Sequence, residues 1–222
     1  MLDRILEPEV MDTEEDANEY AAFNHSIVNS EFVSQAIQFA PIYYNGKVID
    51  IGTGPGDIAI LLAQRMTALH VVAIDLGEHM LKMATDNVVN ANLSDRVEIL
   101  KLDAKATGFA PASFDMVICN SLVHHIPDPL SLFAEIKRIT KPGAGIFIKD
   151  LKRPETKAEL QYLVDTYAAG CSPYQRRIFG DSLHAALTAE EVKDMCDMVG
   201  LTDVKVEVCS DRHWSISRRY SH

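Results

Sequence analysis

From Lys47 onward the chain alternates short apolar runs with amphipathic stretches, and the alternation predicts strands and helices in turn. Val48–Ile51 is a first apolar run that ends in glycines, and Asp57–Met66 reads as a helix. Leu69–Ile74 is a second strand, ending at Asp75, followed by a helix over Glu78–Asn92 with Leu81, Ala84, Val88 and Ala91 on one face. Val97–Leu100, just before Asp103, and Phe114–Cys119 read as the third and fourth strands. Asp128 and Pro129 suit the N-cap and first turn of a helix running through Ile139, and Gly145–Lys149 is a fifth strand. Repeated β-α units with short apolar strands imply an α/β fold whose parallel sheet is covered on both faces.

The two ends follow other patterns. The first forty residues read as helical: Ala21, Phe23, Ile27 and Val28, then Phe32, Val33, Ala36, Ile37 and Phe39 recur at helical spacing until Pro41 closes the segment. Pro154–Ala169 and Pro173–Leu187 each hold a helix. Thr188 with Glu191 forms a capping box for another, which Gly200 ends. Val204–Cys209 and His213–Ser217 read as strands joined through Asp211 and Arg212, and so short a link forces antiparallel pairing. The expected organisation is a single domain over 1–222: a helical cap (1–45), a ligand-binding core (46–150), a helical insert or lid (151–187), and a C-terminal helix with a β-hairpin (188–222).

Composition narrows the function. The chain has 222 residues, 47% hydrophobic and 24% charged, the balance of one soluble globular domain. Its 21 basic against 32 acidic side chains give a net charge of −11, which argues against a broad phosphate-binding face and so against a nucleic-acid partner. No apolar run is long enough to span a membrane, and the acidic start, Met1–Asp16, lacks the layout of a secretory signal. Cys119, Cys171, Cys196 and Cys209 form no C-x-x-C pair, so four reduced thiols in a cytoplasmic protein are expected and no metal site is.

The strongest chemical signal is Asp50-Ile51-Gly52-Thr53-Gly54-Pro55-Gly56-Asp57. It sets three glycines between a strand and a helix, where positive φ and close approach of a ligand to the backbone are needed. A dinucleotide site uses G-x-G-x-x-G; this loop is G-x-G-x-G, with Asp50 two residues before the first glycine. That acid would repel a pyrophosphate and suits a ligand carrying an ammonium beside its carboxylate, such as the methionine end of S-adenosylmethionine (SAM). Asp75, 23 residues beyond Gly52, is placed to accept from two ribose hydroxyls. Asp103-Ala104 after the third strand suits the exocyclic amine of adenine.

On these motifs the chain resembles the class I SAM-dependent methyltransferases, in the small-molecule branch that includes quinone-biosynthesis enzymes. Phe114-Asp115-Met116-Val117-Ile118-Cys119-Asn120 matches the family's fourth-strand motif and Lys141-Pro142-Gly143-Ala144-Gly145 the turn before strand five. The resemblance implies a Rossmann-like seven-stranded sheet in the order 3-2-1-4-5-7-6, with strand 7 antiparallel and helices on both faces. It also implies SAM as cofactor, S-adenosylhomocysteine as product, and donor contacts from Asp50, Gly52, Thr53, Gly54, Gly56, Asp75, Leu76, Asp103, Ala104 and Asn120.

Methyl transfer from a sulfonium is an in-line displacement, so the protein mainly aligns the acceptor and removes its proton. The candidate proton acceptors are His124, His125, His25 and Tyr20. Metal binding by the adjacent histidines is not expected, because neighbouring side chains usually point to different faces. Tyr20, Asn24, Arg153 and Tyr174 are candidates for substrate binding: the first two share a face with His25 on the N-terminal helix, Arg153 suits a carboxylate, and Tyr174 sits in the insert. The expected activity is methylation of a small molecule. A non-catalytic SAM-binding module and a protein or RNA methyltransferase are the alternatives, a nicotinamide oxidoreductase is disfavoured by Asp50, and a homodimer is left open.

Overall fold

The computed structural model describes residues 2–9, 25–41 and 45–221. Two of the candidates, Tyr20 and Asn24, lie outside the described residues. Seven strands form one sheet in the order β3-β2-β1-β4-β5-β7-β6. They are β1 Lys47–Ile51, β2 His70–Asp75, β3 Val97–Lys101, β4 Phe114–Asn120, β5 Thr140–Leu151, β6 Lys205–Val208 and β7 His213–Arg218. The first five run parallel, and β7 enters antiparallel between β5 and β6.

The helices are α1 Ser26–Ala36, α2 Asp57–Arg65, α3 Glu78–Asn90, α4 Pro129–Ile139, α5 Lys157–Tyr167, α6 Pro173–Ala185 and α7 Ala189–Met198. Alternation along each strand feeds two cores. Ile49, Ile51, Val72, Ile74, Val117, Ile146, Ile148 and Ile216 face α4 and α7, and Trp214 is buried in the same layer. Val48, Val71, Ala73, Met116, Ile118 and Phe147 face α1, α2 and α3. Sealing each such side chain from water contributes about 1.5–3 kcal/mol, which is why both faces must be covered. Asp128 accepts from Leu130 N with Pro129 in the first turn of α4, and both Thr188 with Glu191 and Ser172 with Gln175 close capping boxes, for α7 and α6.

Two expectations need correction. The first forty residues are not helical throughout: residues 2–9 form no helix, and the described helix begins only at Ser26, ending in a 3-10 turn, Ile37–Phe39. Residues 2–9 are instead a strap whose polar groups bond to distant parts of the chain. The segment Lys141–Gly145 is not a turn ahead of strand five but part of β5. There the pairing jumps from Phe114↔Thr140 to Met116↔Gly145, so four residues bulge opposite Asp115. Gly143 bends the bulge at φ +73°, and Lys141 Nζ reaches Asp115 Oδ1 at 2.7 Å. Periodicity could not show this, because the bulge is held by a neighbouring strand.

Candidate functional site

β1 and β4 are neighbours in parallel register, Ile51 beside Cys119, so the loops that follow them emerge side by side at the carboxyl end of the sheet. They touch: a Cβ on Gly52 would stand 2.9 Å from the Leu122 side chain. Gly52, Gly54 and Gly56 all adopt positive φ. A Cβ on Gly56 would crowd the Ala84 Cβ of α3 at 3.2 Å, whereas a Cβ on Gly54 would meet nothing within 4 Å. Gly54 therefore opens onto space where a ligand can meet the backbone.

The acids frame that space. Thr53 Oγ1 donates to Asp50 Oδ2 at 2.8 Å, and Asp50 is 1% exposed. Burial pushes the Asp50 carboxyl up to about 7; the Thr53 bond opposes this and the Asp75 charge adds to it. Asp75 accepts from Gly54 N at 2.8 Å and from Gly77 N at 2.9 Å, one bond to each oxygen, which leaves lone pairs on both for further donors. Leu76 is half-buried beside it. Asp103 accepts from Lys105 N at 2.9 Å and pairs with Lys105 Nζ at 2.9 Å. Burial opposes its charge, but the bonds from Lys105 hold its carboxyl below the usual range. Ala104 is half-buried next to it, and Asn120 ends β4 on the same rim. A buried carboxylate that gains from a cation, an open glycine cradle and an acid with spare acceptor capacity fit SAM.

A second cluster lies beyond β4. Val123–His125 is a 3-10 turn in which the two imidazoles lie 4.1 Å apart between centroids. The expectation that adjacent histidines point to different faces fails here: the tight turn brings both rings to the Glu7 carboxylate of the strap. Donor atoms of Glu7, His124 and His125 all lie within 4.8 Å of one another. His124 Nδ1 is 2.5 Å from Asp150 Oδ1, and its Nε2 is 3.6 Å from Glu7 Oε1. Burial works against the charge on His124, yet the Asp150 charge and bond, with Glu7, raise its pKa above the usual value. Asp150 is likewise opposed by burial, but His124 and the N–H groups of Leu151 and Val123 lower its pKa. His124 is thus held by Asp150 in a buried pair that favours its charged form. His125 keeps 20% of its side chain exposed and lies 2.9 Å from Glu7 Oε1 through Nδ1.

The other candidates fall elsewhere. His25 stands at the start of α1 and acts on Asp57, at the glycine loop, where its charge lowers a carboxyl pKa that burial raises. Arg153 is 5% exposed, with Nη1 donating to Ala186 O at 3.1 Å and Nη2 to Glu191 at 2.5 Å, so its fork ties β5 to the α6–α7 junction. Tyr174 is half-buried in the first turn of α6, with the Arg177 guanidinium 5.3 Å from its ring. Glu7, Arg4 and Asp150 were not among the candidates. Asp150 lies one residue before the end of β5, much as Asp75 ends β2, a positional signal that finds it; Glu7 lies more than a hundred residues from its partners and carries none.

A seven-stranded sheet of this order, with a glycine cradle between two acids, defines a class I SAM-dependent methyltransferase. Residues 49–148 match the family model described as a methyltransferase domain. The chain is 30% identical over 161 residues to the ubiquinone biosynthesis O-methyltransferase of Stutzerimonas stutzeri, covering 70% of this chain and 68% of that one. It is 31% identical over 162 residues to the protein of the same name from Hahella chejuensis, covering 70% and 66%. The chain thus spans about two thirds of the length of these curated relatives. A SAM-dependent methyltransferase from Aquifex aeolicus shares the fold with a TM-score of 0.60 at 21% identity over 95% of each chain. Phosphoethanolamine N-methyltransferase 2 of Haemonchus contortus, solved with SAM, gives 0.68 at 20% identity over 92% of this chain and 56% of that one. The chain belongs to the SAM-dependent methyltransferases. Among the described residues, no helix is long and apolar enough to cross a membrane.

Proposed function

We propose that the chain methylates a hydroxyl of a small molecule, with His125 taking the hydroxyl proton. The observation that carries this reading is the contact between the two loops: Gly52 of the donor cradle abuts Leu122, three residues before His125. SAM supplies an activated methyl group when bound. Asp50 and Thr53 would hold its amino-acid end, Asp75 its ribose hydroxyls, and Asp103 with Ala104 its adenine. His125 then borders the acceptor, and its partial exposure lets a substrate reach it. His124 is unsuited to the task, because it is buried and its Nδ1 is engaged by Asp150. The relatives named O-methyltransferases support oxygen as the acceptor atom.

The test is to incubate the protein with methyl-labelled SAM and a metabolite extract, then seek products heavier by one methyl group. A methylated small molecule with a free hydroxyl in its precursor supports the reading. Label confined to protein or RNA overturns the small-molecule acceptor, and SAM binding without turnover overturns catalysis.

A further inference from the structure

The strap, residues 2–9, lies across the carboxyl ends of β4 and β5 and is tied down at both ends. Arg4 donates through Nε to Ala185 O at 2.6 Å, and through Nη1 and Nη2 to Pro127 O at 3.1 Å and Ile126 O at 2.8 Å. Ile5 N donates to His184 O at 3.1 Å, and Glu9 pairs with Lys105, two residues beyond Asp103. The strap therefore bridges the end of α6, the histidine turn and the rim where adenine is expected. Between these ties the Glu7 side chain is only 6% exposed. Burying a carboxylate is costly unless it is paired. Its partners are His125, His124 and the Ser182 hydroxyl, which donates at 3.2 Å.

Resting on the reading of His125 as proton acceptor, we propose that Glu7 is its positioning residue: the strap carboxylate holds the proton on Nδ1 of His125 and leaves Nε2 as the nitrogen that accepts. Glu7 Oε1 stands at hydrogen-bond distance from Nδ1, 2.9 Å, but off the N–H axis. A small turn of the ring completes the bond, as catalytic contacts commonly tighten when substrate arrives. An acid behind a histidine fixes both its tautomer and its aim. The hydroxyl O–H bond breaks and its proton passes to Nε2. The oxygen lone pair forms the new C–O bond, and the pair of the broken S–C bond stays on sulfur. The surrounding charges are balanced: Glu7 and Asp150 face His124, while Arg4 sits among Glu7, Asp150, Glu191 and Arg153. Burial of Glu7 opposes its charge, but the two imidazoles and Ser182 keep its pKa below the usual carboxyl value.

The experiment uses the full chain labelled with ¹⁵N-histidine. Long-range ¹H–¹⁵N spectra report the tautomer of His125, assigned with His125→Ala. The expected result is the Nδ1–H form in the wild type and in Glu7→Gln, whose amide oxygen still accepts, with a shift toward Nε2–H in Glu7→Ala. The same tautomer in the wild type and Glu7→Ala overturns the proposal. Spectra that change on adding EDTA also overturn it, because a cation and not a proton would then lie between Glu7 and the rings. Thermal melts check that both variants fold, and Glu7→Gln alone decides the matter if Glu7→Ala does not: an altered tautomer there counts against the proposal. With catechol as the acceptor probe, kcat should fall by about ten- to a hundredfold in Glu7→Ala with little change in KM for SAM. If His125→Ala retains full activity, the reading of His125 fails. If His125→Ala is inactive and Glu7→Ala is unaffected in rate and tautomer, only the positioning role fails.

Discussion

Asp150 Oδ1 and His124 Nδ1 lie 2.5 Å apart, both side chains at most 5% exposed, and the pair joins the end of β5 to the turn after β4. Removing one partner strands a buried charge, which typically costs about 3–5 kcal/mol. Asp150→Ala should therefore lower stability in chemical denaturation by that order. A loss below about 1 kcal/mol would show that the pair is not ionised.

The same pair sets a pH dependence. Asp150 has a folded pKa below its usual 3.8, so its stabilisation is present above that value and is lost as pH falls through the folded pKa. His124 has a folded pKa above its usual 6.5, so its contribution is complete below 6.5 and is lost as pH rises through the folded pKa. Melting temperature should be highest between these limits, and Asp150→Ala should flatten both flanks. Unaltered flanks in that variant would place the titration elsewhere.

Asp50 has the opposite sign. Its carboxyl titrates at about 7 against a usual 3.8, so the ligand-free fold binds a proton that the unfolded chain releases, and stability falls as pH rises between these values. At about 1.4 kcal/mol per unit the effect is on the order of 4 kcal/mol. Asp50→Asn should melt higher than wild type at pH 8 and match it near pH 4. In calorimetry, wild-type affinity for SAM should strengthen from pH 5.5 to 7.5 as Asp50 ionises beside the ammonium. A wild-type affinity independent of pH in this window would remove Asp50 from contact with the ligand.

Asp75 links the cradle to β2 through Gly54 N. Asp75→Ala should weaken SAM binding by about 1–3 kcal/mol, because ribose hydroxyls lose a charged acceptor. Unchanged affinity in a titration would end the ribose assignment.

Strands β1 to β5 were legible because each is a short apolar run bounded by turn residues, whereas their order in the sheet came from the family resemblance, and the run Asp50 to Gly56 announced the cradle through its spacing. Asp75 and Asp103 followed from their places at strand ends. What stayed hidden arises from long-range contacts. Glu7 meets His125 from more than a hundred residues away in the chain, and nothing in Arg4 to Glu9 distinguishes a strap from a helix that does not form. Arg153 read as a free fork because its burial against Ala186 and Glu191 depends on how α6 and α7 pack. The histidine pair shares a face only because Val123–His125 is wound as a 3-10 turn, which no periodicity reveals over three residues.

β7 pairs with β5 on one side and β6 on the other, yet it is the last of the seven strands to leave the ribosome. Until it is made, β5 offers an unpaired edge and β6 has no neighbour to join, so the nascent chain carries a sticky ladder from the completion of β5 until β7 emerges. A stop codon before Trp214 would consequently remove far more than a terminal strand: it would leave a five-stranded remnant prone to pairing with other chains, and a helper that shields exposed β5 during translation would raise the yield of native protein.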